Sequence, residues 1–153
     1  MAVDRNRAVW NELYVMKNRA QGAYSMTDGS TAGKAKIVMP LANQDLGYLI
    51  NGYAYQKAPG GGTTDIDDIF DCTALTDLTA GQYCKVLCLL DDSGTGSIVQ
   101  GTIKSSAALA PIPDIPQGYS AVGYLTAGGA TDWDAVGGLT SEGVGFVEGY
   151  PLD

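Results

Sequence analysis

Asn51-Gly52, set between Gly47-Tyr48-Leu49-Ile50 and Tyr53-Ala54-Tyr55-Gln56, commits the middle of this chain to a β-hairpin. A two-residue type I′ turn needs positive φ at both positions, and Asn-Gly adopts that conformation at the lowest cost. The glycine content carries the same message along the chain. Of 153 residues, 21 are glycine, with no collagen period. That is roughly twice the average share. It suits many turns and close backbone approaches better than it suits a helical bundle. Hydrophobic residues make up 45% of the chain, enough to build a core.

Short strands follow one another through the rest of the chain. Lys36-Ile37-Val38-Met39 is β-branched and stops at Pro40. Tyr83 to Leu90 is almost continuously apolar, which places it at the centre of a sheet. Asp91 to Gly96 turns the chain back into an antiparallel partner at Ser97–Lys104. Ala110 to Pro116 holds three prolines and reads as an extended crossover, neither helix nor central strand. Tyr119–Thr126 and Val144–Glu148 are the last two strands, with a turn expected over Ala127–Asp132. The chain is therefore expected to be mainly β.

The exception is the N-terminus. Val9, Leu13, Met16 and Ala20 recur at helical spacing, and Trp10 and Tyr14 widen the stripe. This predicts one α-helix over residues 4–21, with Asp4 as N-cap and Gly22 as its C′ stop. Its apolar stripe must be buried, either on the β-body or on another protein. Ser25 to Lys34 is polar and reads as a linker. The expected division is a helical arm over 1–24, a linker over 25–34 and a β-body over 35–153. The net charge of -8 divides along the same line. Residues 1–36 hold six Lys or Arg against three acids, whereas the remainder holds three against fourteen. A body so acidic repels nucleic acid and anionic lipid, while the arm suits an acidic partner.

The chain has no histidine, which excludes Ser-His-Asp and Cys-His nucleophilic arrangements. Cys72, Cys84 and Cys88 are odd in number and cannot all pair internally. They are expected to be reduced and to pack as small hydrophobes, Cys84 and Cys88 on one face of their strand. Asp65-Ile66-Asp67-Asp68-Ile69-Phe70-Asp71 places carboxylates at alternate positions, as calcium sites do, but lacks the glycine and distal glutamate of an EF-hand loop. It reads as a short turn or helical piece pinned to the body by Ile66, Ile69 and Phe70. Gly94-x-Gly96 precedes a β-branched strand, so no helix N-terminus is present to hold a phosphate. No metal, cofactor or enzymatic activity is expected. Met1–Arg5 lacks a following apolar h-region, and no apolar run approaches the ~20 residues of a membrane span. Synthesis in a cytoplasm without secretion is the expectation. The nine tyrosines, among them Tyr48, Tyr53, Tyr55, Tyr119, Tyr124 and Tyr150, either edge the core or serve an interface or a glycan.

The order of segments resembles a known group. The hairpin Ile50-Asn51-Gly52-Tyr53 is followed by Thr63-Thr64-Asp65, then by Leu78-Thr79-Ala80-Gly81-Gln82-Tyr83-Cys84-Lys85-Val86-Leu87. Asp92-Ser93-Gly94-Thr95 and the Pro113-Asp114-Ile115-Pro116 crossover then lead into Gly118-Tyr119-Ser120-Ala121-Val122-Gly123-Tyr124-Leu125. Over residues 36–153 this is similar to small virion structural proteins of tailed bacteriophages: head decoration (cement) proteins, head fibres and related fibre domains. The resemblance implies an antiparallel β-sandwich or barrel-like body, a homotrimer, and a place on the capsid exterior with the major capsid protein as partner. It carries no catalytic residues. In such a protein Val9, Trp10, Leu13 and Met16 are the expected anchors, because apolar and aromatic clusters supply most interface energy. A head or tail fibre, or a receptor-binding module whose tyrosines contact host glycans, is the alternative.

Overall fold

The hairpin forms as its turn requires, with φ of 52° at Asn51 and 83° at Gly52. It lies in a computed structural model that describes Leu13, residues 16–134, Val136, Leu139 and residues 144–149. Among the described residues there are ten strands: β1 (Ala20–Gln21), β2 (Ser25–Asp28), β3 (Lys34–Val38), β4 (Leu46–Ile50), β5 (Tyr53–Lys57), β6 (Asp65–Asp71), β7 (Tyr83–Leu90), β8 (Gly96–Gln100), β9 (Ser120–Gly128) and β10 (Gly145–Glu148). They form three antiparallel sheets, ordered β1-β4-β5, β10-β9-β7-β8 and β2-β3-β6. The protein is mainly β, and among the described residues the sheets do not close into a barrel.

β7 sits between β9 and β8, the central position that its apolar run predicts. Its alternation explains why nearly every residue is apolar. Cys84, Val86, Cys88 and Leu90 face the main core, while Leu87 and Leu89 face a second one. Fully burying a side chain of this kind contributes about 1.5–3 kcal/mol. The main core also receives Met26, Ala35, Ile37, Ile66 and Phe70 from the β2-β3-β6 sheet, and Leu46, Tyr48 and Ile50 from β4. The second core is roofed by the proline-rich crossover, whose Ile112 and Ile115 pack on Leu87, Leu89 and Ala121. The crossover is extended, as expected, and covers what would otherwise be a wet apolar sheet face.

Several expectations are corrected. The helix was expected over 4–21. Apart from Leu13, the residues before 16 lie outside the described ones; Leu13, Met16 and Lys17 have helical backbone, and among the described residues no N-terminal helix element is present. From Arg19 the chain is strand-like: Arg19 bridges Ala121, and Ala20 pairs with Tyr48. Ala20, which fits the helical stripe, is buried from a strand instead, and Gly22 follows that strand at φ 94° rather than stopping a helix. Residues 25–34, expected as a linker, contain β2 and the turn into β3. β2 reads as polar because Met26 is its one fully buried side chain.

The acidic segment, expected as a turn or helical piece, is strand β6. Ile66 pairs with Ile37 and Phe70 with Ala35, so the three residues Asp67, Asp68 and Ile69 on β6 stand against the single Lys36 on β3. The bulge, with Asp68 at φ 49°, breaks the period-2 pattern that would have marked a strand. β8 ends at Gln100, short of Lys104, which returns only as a bridge to Tyr83. β9 runs on to Gly128, into the expected turn. Trp133, which the sequence reading did not single out, is the largest fully buried side chain and bridges to Leu78.

The two larger elements of the core meet at their edges: β10 lies beside β2, and β6 beside β8. At the second seam a Cβ on Gly96 would stand 1.9 Å from the Ile69 carbonyl oxygen, which is backbone and cannot swing aside. Gly96→Ala is therefore expected to destabilise the fold by about 1–3 kcal/mol or more through overpacking. Urea denaturation followed by tryptophan fluorescence checks this, and an unchanged midpoint would show that the seam is looser than described.

Candidate binding surfaces

Of the four expected anchors, Val9 and Trp10 lie outside the described residues. Leu13 and Met16 are exposed, at 39% and 47%. They stand just before a segment that is built into the body. Lys17 O accepts the Gly52 amide at 3.0 Å, and Arg19 O accepts that of Leu49 at 2.9 Å. Between them Asn18 is 1% exposed. Its carbonyl accepts from Ala121 at 2.8 Å, and its Oδ1 accepts from the Asn51 amide at 2.8 Å. Residues 17–21 are thus a splice between the hairpin and β9. Sequence reasoning missed Asn18, because nothing local distinguishes an asparagine that caps a turn 33 residues away.

Beside the splice lies a groove of ≈ 410 Å³, lined by Arg19, Tyr24, Tyr124, Val147, Glu148 and the backbone around Gly22 and Gly149. Tyr24 is fixed in it, its hydroxyl donating to Val122 O. Burial pushes the Tyr24 hydroxyl up to about 12; the nearby Glu148 carboxylate adds to this, while a hydrogen bond from Gly149 and the charge of Arg19 oppose it. Glu148 Oε1 accepts the Met26 amide at 3.0 Å, which ties β10 to β2. Lys85 Nζ lies 5.6 Å from the centre of the Tyr124 ring. A cation, a carboxylate and two aromatic rings around an open groove can bind a polar ligand with an apolar face.

The other tyrosines differ in burial. Tyr48 is buried and stacks on Tyr55 at 5.7 Å, with its hydroxyl donating to Asp91 O. Tyr119 packs on the second core. Tyr53 is 72% exposed, and Tyr150 lies outside the described residues.

The carboxylates of β6 are engaged rather than arranged around a shared centre. Asp65 takes Lys36 at 2.7 Å and Thr64 at 2.8 Å. Asp67 and Asp68 hold the β2–β3 turn, accepting the amides of Ser30 and Thr31 at 2.9 and 3.0 Å as well as their hydroxyls. Asp71 accepts from Thr73 and pairs with Lys34 at 3.6 Å. Hydrogen bonds from Lys36, Ser30 and Thr73 hold Asp65, Asp67 and Asp71 below the usual carboxylate value, as Ser93 does for Asp91. Among the described residues no three His, Cys, Asp or Glu side chains are grouped to hold a metal. Cys72, Cys84 and Cys88 are free and buried in the main core, as small hydrophobes are. Burial pushes the Cys72 thiol up to about 12 and that of Cys88 well above its ordinary value.

No family model, curated protein or solved structure matches this chain.

Three measurements test this geometry. Asn18→Ala leaves the Asn51 amide without its acceptor and is expected to cost about 1–3 kcal/mol in urea denaturation. An exposed control, Leu41→Ser, should leave stability within about 0.5 kcal/mol. The pH dependence follows from the shifts. The four depressed carboxylates contribute stability above their ordinary value of 3.8, which is lost as pH falls through their lower folded values. Cys72 and Tyr24, with raised folded values, contribute stability that is present below pH 9 and 10 and lost as pH rises toward about 12. Stability under reducing conditions is thus expected to hold from about pH 5 to 9 and to fall on both sides. In the same range a thiol reagent should label the three cysteines only after unfolding; labelling of the native protein would contradict their placement.

Proposed function

We propose that this chain is a non-catalytic structural protein of a tailed-bacteriophage virion: a decoration (cement) protein that binds the capsid exterior and stabilises it. The reading rests on the order of segments over residues 36–153 and its resemblance to such proteins. One structural observation supports it. The body closes its own core, yet the chain entering it at Lys17 carries Leu13 and Met16 exposed. Those side chains, with Val9 and Trp10, are the anchors to the major capsid protein. Burying them across a joint between capsid subunits adds to shell stability by linkage. The sandwich arrangement of the body and a homotrimeric assembly belong to this reading.

A second reading is favoured by the groove. Tyr24 and Tyr124 with Arg19 and Glu148 suit a sugar, whose ring stacks on aromatic faces while its hydroxyls or carboxylate meet charge. In that case the chain is a head or tail fibre, or a receptor-binding module contacting host glycans.

Co-sedimentation with empty capsids of the encoding phage separates the two. The doubly substituted full chain, Trp10→Ala with Leu13→Asp, is expected to lose at least about tenfold in capsid affinity while its unfolding midpoint is unchanged. Undiminished binding would remove the anchoring role. A selective hit on a glycan array, abolished by Tyr124→Ala, would favour the fibre reading instead.

A further inference from the structure

Strand edges expose unpaired backbone groups, and a β protein must cover or blunt them. Here most edges have a neighbour. Arg19, leading into β1, bridges β9; β10 lies beside β2, and β6 beside β8. β5 differs: it pairs with β4 on one side and with no described strand on the other.

The hydrogen-bond pattern shows which groups face that open side. Leu49 donates its amide away from β5, to Arg19 O at 2.9 Å. Leu49 and its register partner Ala54 are therefore a non-hydrogen-bonded pair of the hairpin, and the N–H and C=O of Ala54 point away from β4. By the same alternation Gln56, opposite Gly47, turns its N–H and C=O outward. The register of β5 runs unbroken from Tyr53 to Lys57, without bulge or proline, and Ala54 and Gln56 are exposed. The usual blunting devices are absent from Tyr53 to Gln56.

We propose that the β5 edge pairs antiparallel with β5 of a second copy of this chain, about a two-fold axis through Tyr55. The strand is self-complementary in that register. Ala54 comes opposite Gln56 of the second copy, and the reciprocal pair repeats it, so both outward donors and both outward acceptors of each strand are satisfied. Tyr53 comes opposite Lys57, placing a ring that is 72% exposed against an ammonium group, twice per dimer. Charge also permits the approach here. The chain as a whole carries -8, but β4 and β5 contain no acid, and Lys57 is their one charged residue. The product is a continuous sheet of order β1-β4-β5-β5-β4-β1. Its contact is small, so self-association is expected at concentrations on the order of 100 µM rather than below 1 µM. This inference does not depend on capsid binding.

The test is sedimentation equilibrium of the full chain under reducing conditions from about 5 to 500 µM, with amide exchange at both extremes. A monomer–dimer equilibrium is expected, with the Ala54 and Gln56 amides exchanging at least about tenfold more slowly at the high concentration and the Gly61 amide unchanged. Ala54→Pro removes an outward donor that makes no bond among the described residues, as proline does on natural edges, and should remain monomeric throughout. The exchange measurement on the unmodified protein decides the matter even if that variant fails to fold. A monomer across the whole range, or the homotrimer of the capsid reading in place of a dimer, would overturn the proposal. So would a dimer that survives Ala54→Pro, or one in which the two amides exchange at an unchanged rate.

Discussion

β7 buries side chains on both of its faces, and much of the rest of the molecule is arranged to keep both faces dry. Hydrogen bonds to β8 and β9 hold it in place. The β2-β3-β6 sheet, with β4, covers the side that carries Cys84, Val86, Cys88 and Leu90. The crossover from Ala110 to Pro116 covers the side that carries Leu87 and Leu89. Proline suits that task, since an extended segment lying on a sheet face cannot join its ladder and needs no donor there. The three cysteines are buried in the main core and serve there as small apolar side chains.

The splice at residues 17–21 couples the β1-β4-β5 sheet to β9. Asn18 joins the tip of the hairpin to β9 through one side-chain and one backbone bond. This redraws the boundary between arm and body. An arm ending at residue 24 would take with it Asn18, β1 and Tyr24, all parts of the body; an arm ending at residue 16 takes none of them.

The surface is divided by sign and by chemistry. The outer side of β6 spends its carboxylates on lysines, hydroxyls and turn amides, so the acidic character of the body is partly structural. The groove at Arg19, by contrast, combines charge with aromatic rings, and the β5 edge offers backbone groups with little charge. Those two surfaces, and the exposed Leu13 and Met16, are open to contact with another molecule.

Local sequence determined a good deal of this. The Asn51-Gly52 turn, the central place of β7, its return into β8, the extended proline crossover and the mainly-β character all follow from signals confined to a few residues. The turn needs positive φ, the central strand needs two apolar faces, and proline cannot donate. What only the tertiary structure decided are features whose cause lies far along the chain. Ala20 fits a helical stripe as well as a strand, and its pairing with Tyr48 is what selects the strand. Ser25–Asp28 looks like a linker until β3 is beside it. Asp65–Asp71 hides its alternation behind a bulge set by the register with β3. Asn18, Trp133 and the groove at Arg19 leave no local pattern, since each is defined by partners that only folding brings near. The hairpin shows both levels: its turn was legible in two residues, whereas the open edge beyond β5 and the splice that fixes its other side exist only in the assembled sheets.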